Sequence, residues 1–215
     1  MSSVVISGDS SGTITLAAPA VAGSNTITLP AQTGTSAVLS SAISAVGQIP
    51  FSTDGSTLTP TAKIVSGTAV ASTSGTSITF TGISSWVKRI TVMFNGVSTS
   101  GTSNKIFQLG SGSATTSGYA ATGSVISGTS VSATGYTTGF GINSSDASNY
   151  IYGSIIFTNL SGNIWTAQGV FASSGNYTWF AAGSITLSGI LDRVVLTTVN
   201  GTDTFDAGSV NILYE

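Results

Sequence analysis

Residues 77–96 read SITFTGISSWVKRITVMFNG, and residues 184–201 read SITLSGILDRVVLTTVNG. Both stretches follow one plan: a β-branched segment, a Gly-Ile corner, a basic residue, a second β-branched segment and an Asn-Gly pair. Ile90, Val92 and Phe94 recur every second residue, which predicts a strand with those three on one face. Asn95-Gly96 and Asn200-Gly201 predict tight turns, because both residue types tolerate positive φ. The echo is short for a duplicated domain. Equivalent strands set in two packed sheets account for it more economically.

Further strand signals occur on both sides of these stretches, at 105–109, 150–158, 165–171, 179–187 and 209–214, with Gly, Ser and Asn turns between them. Val210, Ile212 and Tyr214 form another predicted apolar face. Many short strands with frequent turn signals predict an all-β class, with residues 63–215 forming an antiparallel β-sandwich, jelly-roll-like. Residues 110–149 are rich in Gly, Ser and Thr, with Tyr119, Tyr136 and Phe140 scattered among them. They predict a pair of irregular strands with long surface loops.

The N-terminal stretch has a different character. Residues 12–30, GTITLAAPAVAGSNTITLP, repeat a four-residue strand pattern and carry no charge. Ile14 and Leu16 fall on one face of the first copy, and Ile27 and Leu29 on one face of the second. So few strands make little core of their own, since a lone hairpin is marginal in water. Residues 1–36 are therefore expected to order against neighbouring chains. In residues 37–48, Leu39, Ile43 and Val46 lie on an apolar stripe at helical spacing, and Gly47 is a stop signal. Two turns are too few for an independent helix, so the stripe is expected to form a neck between chains. Pro50, Asp54-Gly55 and Pro60 mark a linker that completes residues 37–62.

Composition narrows the chemistry. Only 6% of the 215 residues are charged, against about 25% in ordinary domains. The formal net charge is −2, and the five basic residues make no basic face, so nucleic acid is not an expected partner. No stretch approaches 18 uninterrupted apolar residues, so membrane insertion is not expected. The opening MSSVVISGDSSG lacks the basic start and apolar run of a signal peptide, as suits assembly inside a cell and release by lysis. The chain has no histidine and no cysteine. That removes Ser–His–Asp and thiol catalysis and the main zinc ligands, and no phosphate-cradling glycine motif is present. No cofactor, metal or enzymatic activity is expected.

Two residue groups remain as candidates. Asp203 and Asp206, with Asp192 on a possible nearby turn, could pair for glycoside hydrolysis or calcium. Asp is also the ordinary residue of a turn such as the one after Asn200-Gly201. Tyr136, Trp165, Tyr177 and Trp179 could offer flat faces to a glycan or receptor, or could fill the core or an inter-chain seam. In residues 177–180, Tyr177 and Trp179 share one face and Phe180 takes the other.

Several segments resemble structural proteins of tailed-bacteriophage particles, tail-fibre and minor virion proteins in particular. The segments are GTITLAAPAVAGSNTITLPAQTGT at 12–35, GQIPFSTDGSTLTPT at 47–61, residues 78–112, and ITLSGILDRVVLTTVNGTDTFDAGSVNILYE at 185–215. The resemblance is weakest across residues 111–150. It implies a virion protein, commonly a homotrimer, with residues 1–36 intertwined between chains and attached to other virion proteins. It also implies an outward C-terminal β domain for adhesion to a host-surface glycan. The chain has no long repeat shaft. A short tail fibre or spike, a head fibre and a capsid-decorating protein without receptor binding all stay open, and a polysaccharide-degrading spike is a further alternative.

Overall fold

The two echoing stretches cross the molecule in opposite directions. The computed structural model describes Ser3–Ser7, Thr13–Ala17, Ile49–Phe51, Thr59–Thr61 and residues 64–215. In chain order the strands are β1 (Ser3–Ser7), β2 (Thr13–Ala17), β3 (Ile49–Phe51), β4 (Thr59–Thr61), β5 (Val65–Ser66), β6 (Val70–Ala71), β7 (Ile78–Thr81), β8 (Arg89–Thr99) and β9 (Lys105–Ser111). They continue with β10 (Ser113–Ala114), β11 (Ala120–Ser127), β12 (Ser130–Tyr136), β13 (Phe140–Ile142), β14 (Ile151–Ser161), β15 (Ile164–Ser173), β16 (Tyr177–Thr186), β17 (Arg193–Thr198) and β18 (Phe205–Tyr214). No helix occurs among the described residues.

The chain divides into two units, Met1–Val38 and Leu39–Glu215. In the first, β1 and β2 form an antiparallel hairpin with Ile6 opposite Ile14 and Val4 opposite Leu16. The second expected copy, with Ile27 and Leu29, and the neck stripe of Leu39, Ile43 and Val46 lie outside the described residues. The expected linker contains more structure than its prolines and glycine indicated: β3 pairs with β4, Pro50 facing Pro60.

Residues 64–215 make two antiparallel sheets. The larger has nine strands in the order β12-β11-β16-β15-β14-β8-β18-β5, with β6 also on β18. The smaller has the order β10-β9-β17-β7, with β13 also on β9. The inner faces meet in one core, giving a sandwich-like architecture. Phe94 of β8 lies 5.4 Å from Phe107 of β9, ring centre to ring centre, and Phe107 lies 5.7 Å from Phe157 of β14. Phe140 of β13 lies 5.6 Å from Phe157. Tilted and edge-on aromatic pairs at such spacings add to what area burial alone contributes.

The predicted alternation is present. Ile90, Val92 and Phe94 are buried, directly opposite Tyr214, Ile212 and Val210. Those two sets line the same core, because β8 and β18 are neighbours. Equivalent strands of the echo occupy opposite sheets. One copy runs from β7 in the small sheet to β8 in the large, and the other from β16 in the large to β17 in the small. The hydrogen-bonded pair between copies is β7 with β17, Arg193 opposite Thr81.

One of the two Asn-Gly pairs differs from expectation. Asn200-Gly201 is a turn, with Gly201 at φ 68°. Asn95-Gly96 lies inside β8 as a bulge, with Gly96 also at φ 68°. Between Phe94 and Val97 the strand spends one residue more than β14 does between Gly153 and Ile151. A left-handed glycine serves a bulge as well as a turn.

Candidate functional site

The sandwich has two distinct ends. The chain joins the large sheet at one end, the root, where Val65 and Ser66 pair with Tyr214 and Leu213. The start of β8, the β14–β15 turn and both Gly-Ile corners share the root. The opposite end, the tip, gathers the loops at residues 100–104, 143–150, 174–176 and 199–204.

A buried lysine organises the tip. Lys105 begins β9 between Ile142 of β13 and Thr198 of β17, and it has no exposed surface. Its Nζ donates long hydrogen bonds to Ser144 O at 3.4 Å and Ser144 Oγ at 3.3 Å. Burial lowers its pKa, because the ammonium has lost water. The carboxylates of Asp203, Asp146 and Asp206 oppose that shift.

Those carboxylates hold the loops. Asp203 Oδ2 accepts from Ser103 N at 2.8 Å, and Oδ1 accepts from Asn200 Nδ2 at 2.6 Å. Asp146 Oδ1 accepts from Ser148 N and Oγ, and Oδ2 accepts from Asn149 Nδ2 at 2.9 Å. The Asn200 amide lowers the pKa of Asp203 most, and the Ser148 hydroxyl that of Asp146. Asp206 accepts from Ser98 Oγ. Beneath them, Asn104 Nδ2 donates to Asn143 Oδ1 at 3.4 Å. The Tyr136 hydroxyl and Asn104 Oδ1 are buried polar neighbours, yet neither closes a hydrogen bond of normal geometry. Burial pushes the Tyr136 phenol up to about 12, against the pull of the Asn104 side chain. A buried cation with a depressed pKa among acids and amides makes the tip a candidate functional end.

Asp192, expected near Asp203, lies at the root instead. It accepts from Arg193 Nε at 2.7 Å and Gly112 N at 3.0 Å. The three acids therefore do not form one site. Among the described residues no three acidic side chains converge as a metal cluster.

The four predicted contact aromatics are not gathered into a surface. Trp165 and Trp179 are 3% and 2% exposed, and Tyr136 is buried as well. Their rings line the sandwich interior, with Trp179 directly opposite Phe171. Core packing, the bland alternative for them, is what the structure shows in these three. Tyr177 is half-buried and stacks on Trp179 with ring centres 5.8 Å apart. The open aromatics of the tip are Tyr150 and Tyr152, 45% and 42% exposed. Sequence reading missed them, although alternation around core-facing Ile151 turns both outward. Tyr150 is anchored by its backbone: Tyr150 N donates to Ser174 Oγ, and Ser174 N donates to Tyr150 O, both at 3.1 Å.

The tip thus offers exposed phenols, ionised carboxylates and side-chain amides on loops fixed by hydrogen bonds. The root offers Lys88, donating to Asn159 Oδ1 at 3.3 Å, over a small pocket beside Trp165, Asn163 and Ile190. Protein-family models, curated proteins and solved structures provide no match to the chain.

Proposed function

We propose that the chain is a structural component of a bacteriophage particle. It is a short trimeric fibre or spike, held through residues 1–36, with a jelly-roll-like β domain for adhesion to a host-surface glycan. The resemblance of the flanking segments to phage fibre proteins supports this reading. The observation that carries it is directional. The chain joins the sandwich at the root, while the ordered polar loops with Tyr150 and Tyr152 lie at the far end.

Hydroxyl-rich ligands suit such a tip. Carboxylates and amides bind sugar hydroxyls, and a phenol ring supports an apolar sugar face. The same carboxylates support binding over hydrolysis. A glycosidase acid needs a raised pKa, whereas Asp203 and Asp146 are held below the usual range by donors.

The test has two parts. Labelling intact particles with an antibody against the chain locates it, and purified protein is added in competition with phage adsorption to host cells. The expected result is particle labelling and blocked adsorption, with blocking lost in Tyr150→Ala/Tyr152→Ala. Labelling without competition moves the assignment to a decorating protein. Unlabelled particles overturn the virion assignment.

A further inference from the structure

The distribution of charge over the sandwich is uneven. Residues 106–145 and 147–191 contain no Asp, Glu, Lys or Arg. They supply β11, β12, β14, β15 and β16, five adjacent strands of the large sheet. On the face turned away from the core, Ser124, Phe180, Val170 and Ser154 lie in one register row. Val170 is 55% exposed and Phe180 39%, beside a shallow depression that Ile156, Gln168 and Ala182 also line. Surfaces of soluble domains carry roughly a quarter to a third charged residues, so a charge-free face of this width is not built for solvent alone.

The margin of that face is a second, separate observation. Among the described residues β12 is the outermost strand, and one side of its backbone has no strand partner there. Residues 130–135 are exposed on both faces of the strand, and Val131 is 70% exposed. Proteins guard such edges with charge, proline or bulges. SVSATGY has neither charge nor proline, and its pairing with β11 is unbroken.

We propose that the outer face of β11, β15 and β16 with Ser154 and Ile156 of β14, together with the free edge of β12, is where a second copy of this chain packs. The proposal deepens the trimeric reading above and rests on it. A charged partner would find no counter-charge here, whereas another surface of a chain with only 6% charged residues meets little repulsion. The exposed edge of β12 offers N–H and C=O groups to which a strand of another chain can add. Five strands about 4.8 Å apart and some eight residues long present roughly 600 Å² in projection, close to the ~800 Å² per partner of a stable interface.

The experiment is light scattering on the full chain, with far-UV circular dichroism as the check on folding. Wild type is expected at a multiple of 21.3 kDa. Val170→Lys/Phe180→Lys places two charges on the face and is expected to lower the mass to one chain with an unchanged spectrum. Ile190→Lys, at an exposed apolar residue of the corner between β16 and β17 and off this face, is expected to leave the mass unchanged. If the double variant loses the wild-type spectrum, Val131→Lys alone decides, with a fall in mass supporting the interface and retention overturning it. A double variant that folds and keeps the wild-type mass overturns this interface but leaves a trimer standing. A wild-type mass of one chain overturns both. Dissociation of the variant combined with unlabelled particles upholds the interface and removes the virion assignment.

Discussion

The root and the tip use the chain's few charges in opposite ways. At the root, Arg89 pairs with Glu215 and Arg193 with Asp192, all in reach of water. Such exposed pairs contribute little. Stability there comes from apolar corners and from Tyr119, whose hydroxyl accepts from Leu109 N at 2.8 Å and donates to Thr115 O at 3.0 Å. At the tip the lysine is inside and the carboxylates are outside, each holding loop backbone or amide. The root is thus tied to the global fold. The tip is ordered locally, so its loops can vary without threatening the sandwich.

The largest expected effect tests the core that both ends share. Phe107→Ala removes a ring with no exposed surface and should cost about 3–5 kcal/mol in denaturant unfolding, wherever the probe sits. Tyr119→Phe should cost about 1–3 kcal/mol, because the Leu109 N–H is left buried without its acceptor. A loss below 0.5 kcal/mol would remove the root's claim to global importance.

Lys105→Met tests the other side of the comparison through pH. With its folded pKa lowered, Lys105 sheds its proton earlier in the folded chain than in the unfolded one. Between that lowered value and 10.5 the unfolded state holds more protons, so wild-type stability rises with pH. The variant should lose this rise. Above pH 10 the sign reverses. Tyr119 and Tyr136, pushed up to about 12 by burial, stay protonated in the folded chain while unfolded phenols ionise. Stability then falls until about pH 12, and Tyr119→Phe should shallow that fall.

Gly101→Ala acts on the tip alone. A methyl group there would collide with the Asp203 carboxylate and push it off Ser103. Amide exchange at Ser103 should quicken while global stability changes by less than about 1 kcal/mol. A cooperative loss of the whole fold would show that the tip is not local. Arg89→Gln is expected to be smallest, within about 0.5 kcal/mol, since the Arg89 side chain is 56% exposed.

Much of the sandwich was legible in alternation. Ile90, Val92 and Phe94, and Val210 and Ile212, face the core as their period of two requires. Asn95-Gly96 was misread because positive φ is common to hairpin turns and bulges. What separates them is that β14 and β18 flank β8 on both sides, so the chain continues through the glycine. The weakly patterned stretch 110–149 hid a regular hairpin, Ala121 opposite Tyr136 through Ser127 opposite Ser130. Its Gly, Ser and Thr gave no apolar face because residues 130–135 of β12 have no core beneath them.

The site was less legible than the fold. A tryptophan's residue type is the same in a core and on a surface, so Trp165 and Trp179 could not be sorted before their neighbours were known. Asp192 and Asp203 are eleven positions apart in the chain, yet β17 carries them to opposite ends. Composition and period by themselves determined an all-β chain with little charge, because β-branched residues and glycine turns act locally. Which charges are buried, which tyrosines are open and which strands share one charge-free face were decided only by tertiary structure. Those properties depend on which strands become neighbours, and strand neighbours are set by long-range pairing.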